Sequence, residues 1–469
     1  MAINLYNTMG RKIEEFKPIN EKEVGLYTCG PTVYNFAHIG NLRTFIFEDI
    51  LKRALVHSKY NVKHVMNITD VGHLTDDGDS GDDKMTKKAK ESGKSVWEIA
   101  SFYTDAFLND ANDLNLVMPN VLCKATDHIS DMIALIKKLE ENGHTYISGG
   151  NVYFSIDTFK DYGKLANQNL EDLKTAVRDD VSIDTNKKNP KDFVLWFTNS
   201  KFGEQQMMWD SPWGRGYPGW HIECSAMSMK YLGESFDIHC GGIDAIAVHH
   251  TNEIAQSEAA TNHKWVNYWL HGEFLLDETG KMSKSKGDFL TLSLLKSKGY
   301  DPMDYRFFVL GGHYRSQLRF NFDNLDTARK NRLSIVSKIQ DFLENGAKKI
   351  DLESEKTLAL KNEFDECVNN NLNMPMAIAV LHKTIKSDLS DSEKYSLILY
   401  YDEVFGLRLE DVEKKKEDVP KKVLDLVNDR INAKKQRDFA KADDIRDEIN
   451  ELGYILKDTP KGPILSKKM

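Results

Sequence analysis

An α/β fold built around a parallel sheet is what this sequence predicts, and three observations predict it. An apolar run at Val24-Gly25-Leu26-Tyr27-Thr28 reads as a buried strand, broken at Cys29-Gly30-Pro31-Thr32. Leu42, Phe45, Ile46, Ile50 and Leu51 then recur near helical spacing, which predicts a helix from about Gly40 to Leu55. A second strand follows at Val62-Lys63-His64-Val65-Met66-Asn67-Ile68. Strand, helix and strand in that order make a βαβ unit, whose sheet is parallel and whose ligands bind beyond the carboxyl ends of the strands.

The rest of the chain is divided by changes of pattern. At 469 residues, 41% of them hydrophobic, it is too long for one core and rich enough to bury several. Residues 1–114 read as the first half of the sheet domain, with Asp76 to Lys84 as a loop rich in Asp and Gly. From 115 to 205 the pattern loosens into mixed helix and strand, as an insertion would, and 206–270 resumes the sheet near Ser235-Phe236-Asp237-Ile238-His239. A lysine-bearing loop and its surroundings occupy 271–325. Helical periodicity then dominates 326–410, as in Leu333, Ile335, Val336, Ile339 and Phe342. Glu413 to Asp418 reads as a linker, and 420–469 as a compact closing unit.

Composition excludes several classes. No run approaches the roughly 18 apolar residues of a membrane span, and the first residues lack a basic region followed by an apolar one. Five scattered cysteines do not make a disulfide scaffold, so a cytoplasmic protein is expected, its special cysteines serving metal or catalysis. The net charge is −9, although the closing unit carries twelve Lys/Arg against nine Asp/Glu. Charge alone suggests no nucleic-acid partner.

The sharpest string is Lys281-Met282-Ser283-Lys284-Ser285, set between Gly280 and Gly287. Two lysines three apart among small hydroxyl residues make a cationic loop able to neutralise departing pyrophosphate, although most Lys/Ser runs are solvated turns. Upstream, His38-Ile39-Gly40-Asn41 falls where the first strand gives way to a helix, and helix-start N–H groups favour phosphate. Gly40 admits close approach of a base, and His38 can donate to an α-phosphate. Together, in this order on a βαβ unit, the two strings resemble the HIGH and KMSKS motifs of class I aminoacyl-tRNA synthetases. That resemblance implies a Rossmann-type catalytic domain that binds Mg-ATP. The second motif is intact; the first departs at Asn41, where the family has histidine.

Four further residues suggest a metal. Cys29 ends the first strand, and Cys224 lies in Gly219-Trp220-His221-Ile222-Glu223-Cys224. His249 and Glu253 are four apart, so on a helix they share a face while His250 points elsewhere. Two thiolates, an imidazole and a carboxylate suit Zn²⁺. Lone buried cysteines are more often small apolar fillers, and a His/Glu pair at this spacing is more often a surface contact. Cys240 stands as a rival thiol, with His239 and His250 as nearby decoys.

The strings around these residues, with Tyr27 to Tyr34 and Gly241-Gly242-Ile243-Asp244, resemble the cysteinyl-tRNA synthetase family over nearly the whole chain. The resemblance implies one zinc on Cys29, Cys224, His249 and Glu253, which selects the substrate thiol by a coordinate bond. It implies L-cysteine, ATP and tRNA(Cys) as partners, and an inserted connective domain. It also implies an anticodon-binding domain at Arg430 to Gly453, which otherwise reads as a solvent-laced helical hairpin. Catalysis falls to His38, Lys281 and Lys284; ATP to these with Gly40, Asn41 and Asp244; the amino acid to Cys29 and Trp220, with Thr69 and Asp70, at a strand end, as weaker candidates. A monomer is expected. Two other readings stand beside it. A ligase joining cysteine to an amino-sugar lacks a counterpart to Phe320–Met469, and Lys281 and Lys284 argue against a non-catalytic zinc-containing RNA-binding module.

Overall fold

The computed structural model describes residues 2–72, 84–167, 184–199, 206–277, 280–281, 290–414, 420–436, 438–459 and 462–467. The expected Asp-rich loop lies outside these residues except for Lys84, which opens a helix. They divide into two compact units, Met1–Val412 and Glu413–Met469.

At the centre of the first unit is a five-stranded sheet, parallel throughout. Its spatial order is Val266–Gly272, Phe236–Gly242, Val24–Thr28, Val62–Ile68, Val121–Lys124. Strand parity divides the core in two. Leu26, Ile238 and Cys240 face the helix Ile39–His57 and the helices beyond it. Tyr27, Val65 and Trp269 face the opposite layer, built from the helices Ile129–Glu141, Trp220–Leu232 and His249–Thr261. Both sheet faces are covered, which is why these strands read as continuous apolar runs.

The two strands and the helix of the expected βαβ unit are present, the helix running Ile39–His57. The strand Val121–Lys124 joins the central sheet, so the sheet extends past residue 114, where the loosened pattern suggested that an insertion begins. That strand is short and half exposed, with only Cys123 buried, and so carries little apolar signal. Further on, Thr145–Ser148, Asn151–Phe154, Phe193–Phe197 and Tyr217–Pro218 form a separate antiparallel sheet. A small sheet orders Gly280–Lys281, Leu275–Asp277 and Leu318–Arg319. Four long helices follow: Phe322–Glu344, Glu355–Asn369, Met374–Lys386 and Asp391–Phe405. Each opens on an Asn or Ser whose side chain accepts a backbone N–H of the first turn, the expected start signal.

The second unit has its own core of Val423, Ile445, Ile449, Tyr454 and Leu456. Two helices, Lys421–Lys435 and Phe439–Glu451, are followed by a hairpin of Tyr454–Thr459 and Gly462–Lys467.

Candidate functional site: a buried thiol and histidine cluster at the sheet's switch point

The neighbouring strands Val24–Thr28 and Phe236–Gly242 are far apart in sequence, and the strand order reverses between them. A crevice opens at their carboxyl ends, the usual ligand position in such sheets. There Cys29 N–H donates to Cys240 O at 3.1 Å, and Gly30 N–H donates to Asn67 Oδ1 at 2.8 Å. A Cβ on Gly30 would lie 1.7 Å from Asn67 O, so this turn admits only glycine. The cavity, about 230 Å³, is lined by Cys29, Asn41, Thr69, Trp220, Cys224, Asp244 and His249, among others.

Ligand atoms of Cys29, Cys224, His249 and Glu253 all lie within 4.8 Å of one another. Cys224 comes from the helix Trp220–Leu232, while His249 and Glu253 stand one turn apart on His249–Thr261. His249 Nε2 is 2.7 Å from Glu253 Oε1, and its Nδ1 is 2.9 Å from His221 Nδ1. His239 Nε2 lies 2.8 Å from Glu253 Oε2. Both inner groups are therefore oriented from behind by a second imidazole, the arrangement that fixes ligands at metal sites.

The electrostatics of the cluster couple its two thiols, its imidazoles and its carboxylate. The bond from Cys29 to Cys224, together with burial, holds the Cys29 thiol well above its usual pKa. The same bond lowers Cys224 to about 7 despite its burial. Burial opposes ionisation of Glu253, but the charges of His249 and His239 outweigh it and bring that carboxyl down to about 2. A buried thiolate and a buried carboxylate side by side need positive charge between them, which a bound cation can supply, or the His249 imidazole, held protonated against its burial by the charge of Glu253. Two sulfurs, a nitrogen and an oxygen at these separations fit Zn²⁺.

His250 does not point elsewhere, as its helix position suggests. Its Nε2 is 3.3 Å from Cys29 Sγ, and its Nδ1 is 2.8 Å from His271 Nε2. Cys29, His239, His250 and Glu253 form a second group within 4.8 Å. The cause is the sheet beneath: His250 packs on His239, Trp269 and His271 of the strands, while His249 reaches the cavity. Cys240 belongs to neither group among the described residues. Next to His239 on a strand, it faces the other side of the sheet, where burial and the nearby Glu48 raise its thiol pKa.

His38 caps the helix Ile39–His57. Its Nδ1 accepts from Asn41 N–H at 3.1 Å, and Asn41 Oδ1 accepts from His38 N–H at 3.3 Å. The neutral ring therefore carries its proton on Nε2, and Asn41 keeps Nδ2 as its donor. Ile39 N–H donates to Leu290 O at 2.8 Å. Two of the N–H groups expected for phosphate are thus already bonded within the protein. At Gly40 a Cβ would lie 2.9 Å from the His38 ring, so glycine makes room for the imidazole.

Lys281 pairs through its backbone with Leu276; its side chain and all of Lys284 lie outside the described residues. Thr69 Oγ1 accepts from Asn67 Nδ2 at 3.0 Å and donates to Glu223 Oε2 at 2.9 Å, which fixes the hydroxyl at the cavity wall. Asp70 is occupied by the N–H and hydroxyl of Thr126. His221, Asn67, Glu223 and His271 were not singled out from sequence. His221 and Glu223 stand within the Gly219–Cys224 string, which was the available signal.

The family described as tRNA synthetases class I (C) catalytic domain matches residues 15–330. A methionyl-tRNA synthetase of Mycobacterium tuberculosis, solved with methionyl-adenylate, has a TM-score of 0.56 at 15% identity, covering 82% of this chain and 90% of that one. It shares the fold. A cysteine–tRNA ligase of Treponema denticola is 51% identical over 98% of each chain. Another, from Burkholderia lata, is 45% identical over 98% of this chain and 96% of its own. The chain belongs to the class I aminoacyl-tRNA synthetases and, among these, to the cysteine–tRNA ligase family. Among the described residues, no helix is long and apolar enough to cross a membrane.

Proposed function

We propose that this cavity activates L-cysteine with Mg-ATP to cysteinyl adenylate and pyrophosphate, and that the acyl group then passes to the terminal ribose of tRNA(Cys). The convergence of Cys29, Cys224, His249 and Glu253 on the wall of the cavity carries the reading. Held by these four, zinc supplies a thiophilic Lewis acid, which separates a thiol from a hydroxyl by bond type where shape alone discriminates poorly. The other roles belong to the chain's own groups. His38 Nε2–H donates to the α-phosphate as negative charge develops, and Asn41 Nδ2 assists. Lys281 and Lys284 neutralise the departing pyrophosphate. Asp244 accepts from ribose hydroxyls, Thr69 presents its oriented oxygen to the amino acid, and Trp220 walls the pocket.

In the same reading, the connective insertion expected from 115 to 205 begins only beyond the central-sheet strand Val121–Lys124, 271–325 carries the lysine loop and 326–410 is a helical bundle. Residues 420–469 bind the anticodon stem and loop. The protein acts as a cytoplasmic monomer. ATP–pyrophosphate exchange tests the reading: cysteine should support it, while serine and methionine should leave it at background. Equal exchange with serine would refute the selection of sulfur. Lys284→Ala should slow cysteine-dependent exchange by about 100-fold or more while cysteine affinity changes little, the mark of an interaction made in the transition state.

A further inference from the structure

We propose that an exposed aromatic and lysine platform beside the cavity stacks the single-stranded 3′ end of the RNA substrate during acyl transfer. The proposal rests on the tRNA reading above. Phe36 and Phe102 are large apolar rings left 38% and 46% exposed. They pack edge-on against Tyr103, at 5.1 and 5.0 Å, and lie 5.8 Å from each other. Lys88 Nζ stands 4.7 Å over the Tyr103 ring, and Lys94 Nζ 5.2 Å over the Phe102 ring. Lys88 also donates to Asn35 Oδ1 at 3.0 Å, which ties the lysine-bearing helix Lys84–Ser92 to the loop before His38. Phe36 is two residues from His38, the cap of the catalytic helix.

Partly exposed rings held in place by neighbouring rings are what unstacked bases bind, and cations beside them suit the phosphates between those bases. Residues 84–94 hold five lysines against one glutamate and directly follow five aspartates at 76–83, so the contribution to RNA binding lies in the placement of Lys88 and Lys94 rather than in net charge. A duplex offers no free base faces, so a single-stranded end is the occupant that fits. Trp97 is also exposed, but it sits on another side of its helix, against Trp209, and is no part of the platform.

The test is a cycle of variants and RNA. Phe36→Leu with Phe102→Leu keeps apolar bulk and removes the rings; unchanged thermal unfolding verifies the fold. ATP–pyrophosphate exchange, which needs no RNA, should stay within about twofold of wild type. Single-turnover transfer from preformed adenylate should lose roughly 10- to 100-fold in efficiency, the range expected for one or two lost base stacks. Removing the terminal single-stranded nucleotides of the tRNA should weaken its competitive binding to wild type, yet barely alter binding to the double variant. Losses from protein and RNA changes that simply multiply would overturn the platform, as would unchanged transfer or a platform blocked only by an acidic peptide. Absence of cysteine-dependent exchange in wild type would instead overturn the activity on which the proposal rests.

Discussion

Cys224 and Cys240 are both buried thiols near Cys29, and strand and helix geometry separates them. Cys224 lines the cavity, whereas Cys240 alternates with His239 and so faces away. Cys224→Ser should therefore lower zinc per chain by at least about tenfold in affinity, as expected on losing a soft thiolate ligand. Cys240→Ser should keep full occupancy, and elemental analysis after dialysis distinguishes the two. Loss of metal only from the second variant would reverse the assignment. Parity was legible in the sequence, because neighbours on a strand face opposite ways and His239 already stood among the candidates. The place of His250 was not legible: helical spacing separates it from His249, but only the sheet beneath brings it to Cys29.

Between elements, Arg43 and His57 supply two of the polar contacts that tie the helix Ile39–His57 to its surroundings. Arg43 is 3% exposed and donates to the carbonyls of Glu273, Phe274, His313 and Ser316. It thereby joins this helix to the base of the strand Leu275–Asp277, from which the lysine loop departs. Arg43→Lys leaves some of those carbonyls without a donor, at about 1–3 kcal/mol each. It should lower both the urea midpoint and the exchange kcat, with cysteine affinity unchanged; equal loss in both kinetic parameters would deny a positioning role. At the far end, His57 meets Asp365 at 2.9 Å and Glu403 at 3.0 Å. Burial alone would lower its pKa, but the hydrogen bonds and charges of the two carboxylates outweigh burial and raise it. Their stabilisation is complete below about 6.5, the value for an unfolded histidine, and disappears as pH rises through the raised folded value. His57→Gln should thus cost about 1–2 kcal/mol near pH 6 and much less at pH 9. A gap in unfolding midpoint that widens with pH would contradict this. Neither contact was legible, since Arg43 and His57 bond to groups more than 200 residues away.

Across the whole molecule, the sheet core was readable because strands buried on both faces are apolar throughout, as in Val24–Thr28. The strand Val121–Lys124 escaped because it is mostly unburied. The closing unit 413–469 has a separate core, so deleting it should leave cysteine-dependent exchange within about threefold while aminoacylation of tRNA falls by at least about tenfold. Exchange lost together with charging would show that the first unit depends on the second. The most direct measurement compares cysteine with serine in exchange assays on protein freed of zinc and shown by circular dichroism to remain folded. If zinc selects the sulfur, preference for cysteine collapses toward the roughly 10- to 100-fold that fit alone provides. Undiminished preference in the metal-free protein would contradict it.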